Sequence, residues 1–342
     1  MEGAFSYKKN DTMINAYVGC AIDSTVRYMA TSGGVGSYLL KYLFDKGEIH
    51  TAITFDYDNE ILKYVPRLIY KYEDYKMTGS IYHEINLIQF VKEHINEIKG
   101  EFACFVLPCQ ARAIRSILER SNVNSILIGL TCSSQQDLEA TYYLIKYLNI
   151  NRDEVTFIQY RGNGWPSGIQ IIKKDGTKIF VPNNNSIWTQ IFHSRLFILP
   201  RCFECQNTLN IYSDIVLADP WLKEYVIKEK EGQTLFGSYT NRGQSIIMNA
   251  INNGYITAKS INENAFTSSQ YNTIVRKNGY KNHPNIKKRM KKIFTSSYYK
   301  SIVLASASLF KIHCMIKIKW NVVFYTKQLI NSQYEIFFSF TF

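Results

Sequence analysis

Four cysteines, Cys109, Cys132, Cys202 and Cys205, constrain this chain more than any other feature, because thiols drawn from distant segments share a centre only if the fold brings those segments together. They occur as Leu107-Pro108-Cys109-Gln110, Leu130-Thr131-Cys132-Ser133 and Cys202-Phe203-Glu204-Cys205. Four thiolates are the ligand set of an iron–sulfur cubane or a structural zinc. The C-x-x-C turn lets two sulfurs reach one metal, while Cys109 and Cys132 each follow an apolar, strand-like run, residues 102–107 and 125–130. A residue at the end of a buried strand projects into the crevice above the sheet, where α/β proteins place ligands. One C-x-x-C serves equally as a redox disulfide or as two inert thiols, and spacing alone leaves those alternatives open.

The surrounding pattern predicts an α/β (mixed α+β) fold. Strand-like runs at 50–55, 102–107 and 125–130 alternate with helix-like segments at 37–46, 85–99, 111–120 and 135–148. Such alternation implies a parallel or mixed sheet covered by helices. From residue 155 the texture changes to short strands at 155–160, 169–173 and 178–181, with a hairpin turn at Lys174-Asp175-Gly176. A helix at 244–251 and a short strand at 255–258 follow, and residues up to Ala30 read as a loop. We therefore expect an N-terminal α/β lobe over 1–150, a second lobe over 151–280 that brings Cys202 and Cys205 over the first, and a basic tail over 281–342.

With 342 residues, 46% of them hydrophobic, the chain can bury a substantial core. Seven cysteines, an odd number, do not suit a secreted disulfide scaffold, and residues 1–10 lack an apolar signal region, so a reducing cytoplasm is expected. Most of the net charge of +12 lies in the tail, which holds eleven Lys and Arg against one acid, Glu335. Its segments Ile286-Lys287-Lys288-Arg289-Met290 and Met315-Ile316-Lys317-Ile318-Lys319-Trp320 suit a basic amphipathic helix on an anionic membrane surface, an acidic partner, or a helix closing the core. No stretch offers the roughly 18 apolar residues of a membrane span. No nucleic-acid-binding motif accompanies the lysines, so that partner is not favoured.

Several other residues could carry chemistry. Thr31-Ser32-Gly33-Gly34-Val35-Gly36 opens a helix, and Ser and Gly there suit capping and approach of an anion to the backbone amides, or equally a plain turn without a ligand. Arg161 and Trp165 pair a guanidinium suited to phosphate with an indole suited to a flat ring, although Gly162 to Gly164 equally make a plain turn whose Trp plugs the core. Asp214 and Asp219 sit in an apolar run, where an Arg partner or a helix cap is the commoner role. Cys20, Cys104 and Cys314 read as core thiols, and His193 as a structural residue.

The order of these segments carries a resemblance. Phe105-Val106-Leu107-Pro108-Cys109-Gln110-Ala111 is similar to the G-x-P-C-Q-I-A-G-L segment of the coenzyme F420 hydrogenase/dehydrogenase beta-subunit family. Arg27 to Gly34 resembles its R-x-x-S-S-S-G-G, Cys132 stands where its C-H-G cysteine falls, and Arg161 to Trp165 resembles its R-x-K-x-G-W. Arg201-Cys202-Phe203-Glu204-Cys205 and Asp214 to Trp221 resemble its C-x-x-C and D-I-x-x-G-D-F-W segments. The resemblance covers about residues 15–255.

It implies an iron–sulfur flavoprotein oxidoreductase, with Cys109, Cys132, Cys202 and Cys205 holding a 4Fe-4S cluster. Ser32, Gly33, Gly34, Gln110, Arg161 and Trp165 would serve FAD, and electrons would pass between cluster and an organic acceptor such as a deazaflavin. A redox partner protein or small-molecule donor is implied, in the cytoplasm, with the basic tail available to the inner face of a membrane. Ser133-Ser134, Asn163 and Pro220 depart from the family pattern around the flavin and its acceptor, and the ferredoxin-like cysteine module of many relatives is absent. The other reading is a non-catalytic scaffold with zinc or no metal, acting in glycan assembly, as relatives of this short form do in polysaccharide biosynthesis.

Overall fold

The computed structural model describes residues 12–316. Eleven strands are described: β1 (Ala16–Ala21), β2 (Thr51–Asp58), β3 (Lys63–Ile69), β4 (Phe102–Val106), β5 (Ser125–Leu130), β6 (Val155–Gln159), β7 (Gly168–Lys173), β8 (Lys178–Pro182), β9 (Ile215–Ala218), β10 (Thr234–Ser238) and β11 (Ile256–Ile261). The helices are α1 (Ser24–Met29), α2 (Val35–Asp45), α3 (Leu87–Glu93), α4 (Pro108–Arg120), α5 (Glu139–Tyr147), α6 (Ile187–Ser194), α7 (Lys223–Lys228), α8 (Asn241–Asn252), α9 (Glu263–Ser269), α10 (Tyr271–Asn282), α11 (Pro284–Phe294) and α12 (Ser297–Leu304). Short 3-10 turns include Pro200–Phe203.

The fold is mixed α/β, as the alternation predicted. One sheet of eight strands runs β11-β1-β10-β9-β5-β4-β2-β3, and a second of three runs β6-β7-β8. The central pairs β2–β4, β4–β5 and β5–β9 are parallel, whereas the pairings toward both edges are antiparallel. Alternation along β4 sends Phe102, Cys104 and Val106 to one face and Ala103 to the other, the two-residue period of a strand buried on both sides. On the first face they meet Ala111, Ile114 and Leu118 of α4 and the small sheet's Ile158, Ile169 and Ile171. On the second, Val35, Leu39 and Leu43 of α2 and Ile246 and Ile247 of α8 close the core.

Segment 151–280 supplies strands to both sheets: β6–β8 form the small one, and β9–β11 join β1 in the large one. The described residues up to Ala30, from 12 onward, hold β1 and α1 rather than the loop expected. Every residue of β1 is buried, between β10 and β11, partners more than 200 residues away that local periodicity does not reveal. The helix read over 85–99 is shorter, ending at Glu93 and followed by a 3-10 turn, Ile95–Glu97.

The basic tail is helical as far as it is described. In α11, Met290 and Phe294 are buried against Cys202 and Phe203, so the apolar side of this helix faces the protein. The segment from Lys317 onward lies outside the described residues. Among those described, no helix is long and apolar enough to cross a membrane.

Candidate metal centre

The parallel pairing of β4 and β5 sets Val106 beside Gly129, so both strands end at one edge of the sheet. Asn210 ties those ends together, its Nδ2 donating to the carbonyls of Val106 at 2.7 Å and Leu130 at 3.2 Å. Cys132 follows β5 directly, and its backbone N–H donates to the Thr208 carbonyl at 3.1 Å. Cys109 lies in the first turn of α4 and not at a strand end, because the helix begins at Pro108, three residues earlier than periodicity implied. Proline fits that first turn since its missing N–H is not needed there. Gln110 completes the start: its Oε1 accepts the Leu107 N–H at 2.9 Å and its Nε2 donates to the Ile85 carbonyl at 3.4 Å.

The pair Cys202 and Cys205 arrives on the 3-10 turn Pro200–Phe203. Leu199 N–H donates to the Gln135 carbonyl at 3.1 Å, which fastens this turn beside the loop carrying Cys132. All four cysteines line one small cavity, together with Pro108, Ser134, Arg201 and Lys277. Burial pushes the Cys132 thiol up to about 12, against the pull of Lys277 and with the help of the Cys202, Cys109 and Cys205 thiols. Burial likewise raises the Cys109 thiol, opposed by Arg201.

The donor set suits a thiolate-bound centre. Gln135 N–H lies 3.5 Å from Cys202 Sγ and Lys277 Nζ lies 3.4 Å from Cys205 Sγ, so sulfur charge would meet donors already in place. Among the described residues no three Cys, His, Asp or Glu side chains close on the point a single metal ion would occupy. A tetrahedral zinc site draws its sulfurs to about 2.3 Å from one ion, whereas a cubane spreads them around a larger body. His193 instead packs edge-on against Phe192. Cys20 and Cys104 are buried and Cys314 packs half-buried against the core, so these three behave as core thiols.

A second constellation adjoins the first at the same sheet edge, where β9 runs parallel to β5 and leads into Asp219. Arg161 Nη1 and Nη2 donate to the Asp219 carboxylate at 2.6 and 3.0 Å, and Nη2 also donates to the Thr31 carbonyl at 3.0 Å. Burial opposes the guanidinium's charge, but the Asp219 carboxylate together with Tyr82 more than offsets it and holds Arg161 above its ordinary pKa. Trp165 Nε1 donates to the same carboxylate at 2.9 Å, and its ring lies 4.9 Å from that of the half-exposed Trp221.

Through Thr31 the ion pair holds the Ser32-Gly33-Gly34 turn, and Thr234 Oγ1 donates to the Ser32 carbonyl. Gly33 has φ +78°, and a Cβ there would stand 2.8 Å from the Thr234 nitrogen, which explains glycine in this close approach. Ser32, Gly33, Gly34, Arg161 and Trp165 are thus gathered, whereas Gln110 belongs to the cysteine side. Asp219 finds its Arg partner as expected, and Asp214 pairs with Arg115 at 2.6 Å.

Sequence reasoning missed Lys277, since a lysine in α10 carries no motif, and it missed Asp219 as the common acceptor for Arg161 and Trp165. The acidic position within Ala218-Asp219-Pro220-Trp221, following a strand end, was the available signal.

Residues 16–92 match the N-terminal part, and residues 100–264 the C-terminal part, of the family described as coenzyme F420 hydrogenase/dehydrogenase, beta subunit. F420-dependent formate dehydrogenase 1 subunit beta of Methanococcus maripaludis is 22% identical over 258 residues, 71% of this chain and 60% of that protein. The F(420)H(2) dehydrogenase of Methanosarcina mazei contributes a second relative, the component designated F, which is 28% identical over 188 residues, 54% of this chain and 50% of that protein. The matches thus span between half and three-fifths of these curated relatives. One chain of the xenon-derivatized F420-reducing NiFe hydrogenase complex from Methanosarcina barkeri shares the fold, with a TM-score of 0.61 and 16% identity over 84% of this chain and 95% of that one. With both family descriptions matched in order across most of its length, the chain belongs to the coenzyme F420 hydrogenase/dehydrogenase beta-subunit family.

Proposed function

We propose that this protein is an iron–sulfur flavoprotein oxidoreductase, in which Cys109, Cys132, Cys202 and Cys205 hold one 4Fe-4S cluster and the neighbouring constellation serves FAD. The observation that carries this reading is the convergence of the four thiols on one cavity. Held by these residues, a cluster would supply one-electron transfer and a flavin would supply hydride transfer to an organic acceptor.

The chain's own residues do the positioning. Asn210 fixes the ends of β4 and β5, and with them the approach of Cys109 and Cys132. Arg161 and Asp219 pin the Ser32-Gly33-Gly34 turn at the start of α2, whose first backbone N–H groups have no carbonyl partner within the helix and suit a phosphate. Trp221, about one-third exposed, offers a flat apolar face beside that turn, backed by the ring of the buried Trp165. Because both Arg161 terminal nitrogens are committed to Asp219 and Thr31, we assign Arg161 to holding the turn rather than to gripping the phosphate. A redox partner protein or small donor supplies the electrons, as the relatives' names, those of components of larger dehydrogenases, suggest for them.

The test is anaerobic isolation of the full chain, extraction and identification of flavin, and reduction of the bound flavin by a viologen dye. Retained FAD reduced through the protein supports the proposal. Protein that carries zinc and no flavin would favour a scaffold without redox chemistry, and protein with neither iron nor flavin would remove the proposal.

A further inference from the structure

α10 lies beyond the last residue matched by the family, 264, yet it reaches into the cysteine cavity. Lys277 is buried there at 2% exposure. Its Nζ donates to the Cys132 carbonyl at 2.9 Å, to the Asn207 carbonyl at 3.0 Å and to Cys205 Sγ at 3.4 Å. Next to it, Arg276 Nη2 donates to the Ser133 carbonyl at 2.8 Å and its hydroxyl at 3.0 Å. Tyr280 of α10 packs on Phe203, and from the next helix, α11, Lys287 and Lys291 both pair with Glu204, so the two helices clamp the C-x-x-C turn from outside.

An ammonium taken from water is costly unless an anion compensates it, and two carbonyls with a neutral thiol supply only dipoles. A ligated centre changes that account, because its sulfurs bind as thiolates and carry net negative charge. The cation then lies in hydrogen-bond range of one ligand sulfur and bonded to the backbone carbonyl of a second ligand, Cys132. A fixed positive charge at that range favours addition of an electron to the centre.

Resting on the cluster reading above, we propose that Lys277 is a positioning residue that supplies the counter-charge of the cysteine centre, holding Cys205 by an N–H···S bond and raising the centre's reduction potential. On reduction one electron from the donor enters the centre, and no bond forms or breaks. The segment beyond the family match is on this account part of the redox site.

The experiment compares the full chain with Lys277→Gln, which keeps a donor but loses the charge, and Lys277→Arg, which keeps the charge. Iron is quantified first, then the midpoint potential is measured by dithionite titration followed in the visible spectrum. Lys277→Gln with full iron should reduce at a potential lower by at least a tenfold change in equilibrium, about 59 mV for one electron, with Lys277→Arg staying near the wild type. Equal potentials in all three proteins at full iron would overturn the proposal, and so would loss of iron from both variants with the fold intact, which would make Lys277 a residue of assembly. Absence of iron from the wild-type chain would instead sink the cluster reading itself.

Discussion

Replacing Asp219 by Ala isolates the interaction on which the second constellation depends. The Arg161 side chain is 3% exposed and Asp219 16%, so the change leaves a charged guanidinium where water reaches poorly. Removing one partner of such a buried pair costs about 3–5 kcal/mol. The same carboxylate accepts the Trp165 indole N–H, and stranding that donor costs about 1–3 kcal/mol, a contribution that overlaps with the first because the groups share one acceptor. We expect a loss of about 4 kcal/mol, a large share of the roughly 5–15 kcal/mol that holds a domain folded.

The assay is urea unfolding of the cofactor-free chain followed by far-UV circular dichroism, comparing midpoints at constant denaturant slope. Arg161→Met combined with Asp219→Leu strands no charge and should cost less than Asp219→Ala alone. A loss below about 1 kcal/mol for Asp219→Ala, the range of a surface ion pair, would refute the argument that this pair is buried and structural.

Further outcomes follow from other parts of the molecule. Burial lowers the His83 pKa to about 4, and the ring accepts the Tyr64 N–H at Nε2, so the folded state resists a proton that the unfolded chain takes near pH 6.5. Stability from this group is therefore complete above about pH 6.5, is lost progressively as pH falls toward about 4, and amounts to at most about 3 kcal/mol. Unfolding measured between those limits should show this slope in the wild type and not in His83→Gln. Gly79→Ala places a methyl on the Arg161 carbonyl at φ +70° and should destabilise by about 2 kcal/mol or more, whereas Gly47→Ala, at φ +66° with open space around it, should cost only the left-handed backbone penalty of about 1–2 kcal/mol. Thermal denaturation of the two variants ranks them, and equal losses would contradict the packing described.

The parts of the fold legible in the sequence were those with strong local pattern. The strand Ser125–Leu130 was read to the residue, since its continuous apolar run is bounded by polar residues on one side and Thr131-Cys132 on the other. The turn Lys174-Asp175-Gly176 was legible because Gly176 at φ +82° satisfies what a tight hairpin requires. What failed depended on distant partners: β1 pairs only with strands from the other end of the chain, and α4 absorbs Pro108 and Cys109 because Gln110 caps its start.

At the site, Cys109, Cys132, Cys202 and Cys205 announced themselves by residue type, and the structure draws them to one cavity. Lys277 could not be found that way. Nothing in Val275-Arg276-Lys277-Asn278 distinguishes a buried cation from a solvated one until α10 is seen against the cavity.

The central claim is that these four sulfurs hold a single inorganic centre. Iron and acid-labile sulfide per chain, measured on anaerobically isolated protein and on each of Cys109→Ser, Cys132→Ser, Cys202→Ser and Cys205→Ser, test it most directly. The account predicts about four iron and four sulfide in the wild type and a clear loss in every variant. Background iron in the wild type, or wild-type iron retained after Cys109→Ser or Cys132→Ser, would contradict it.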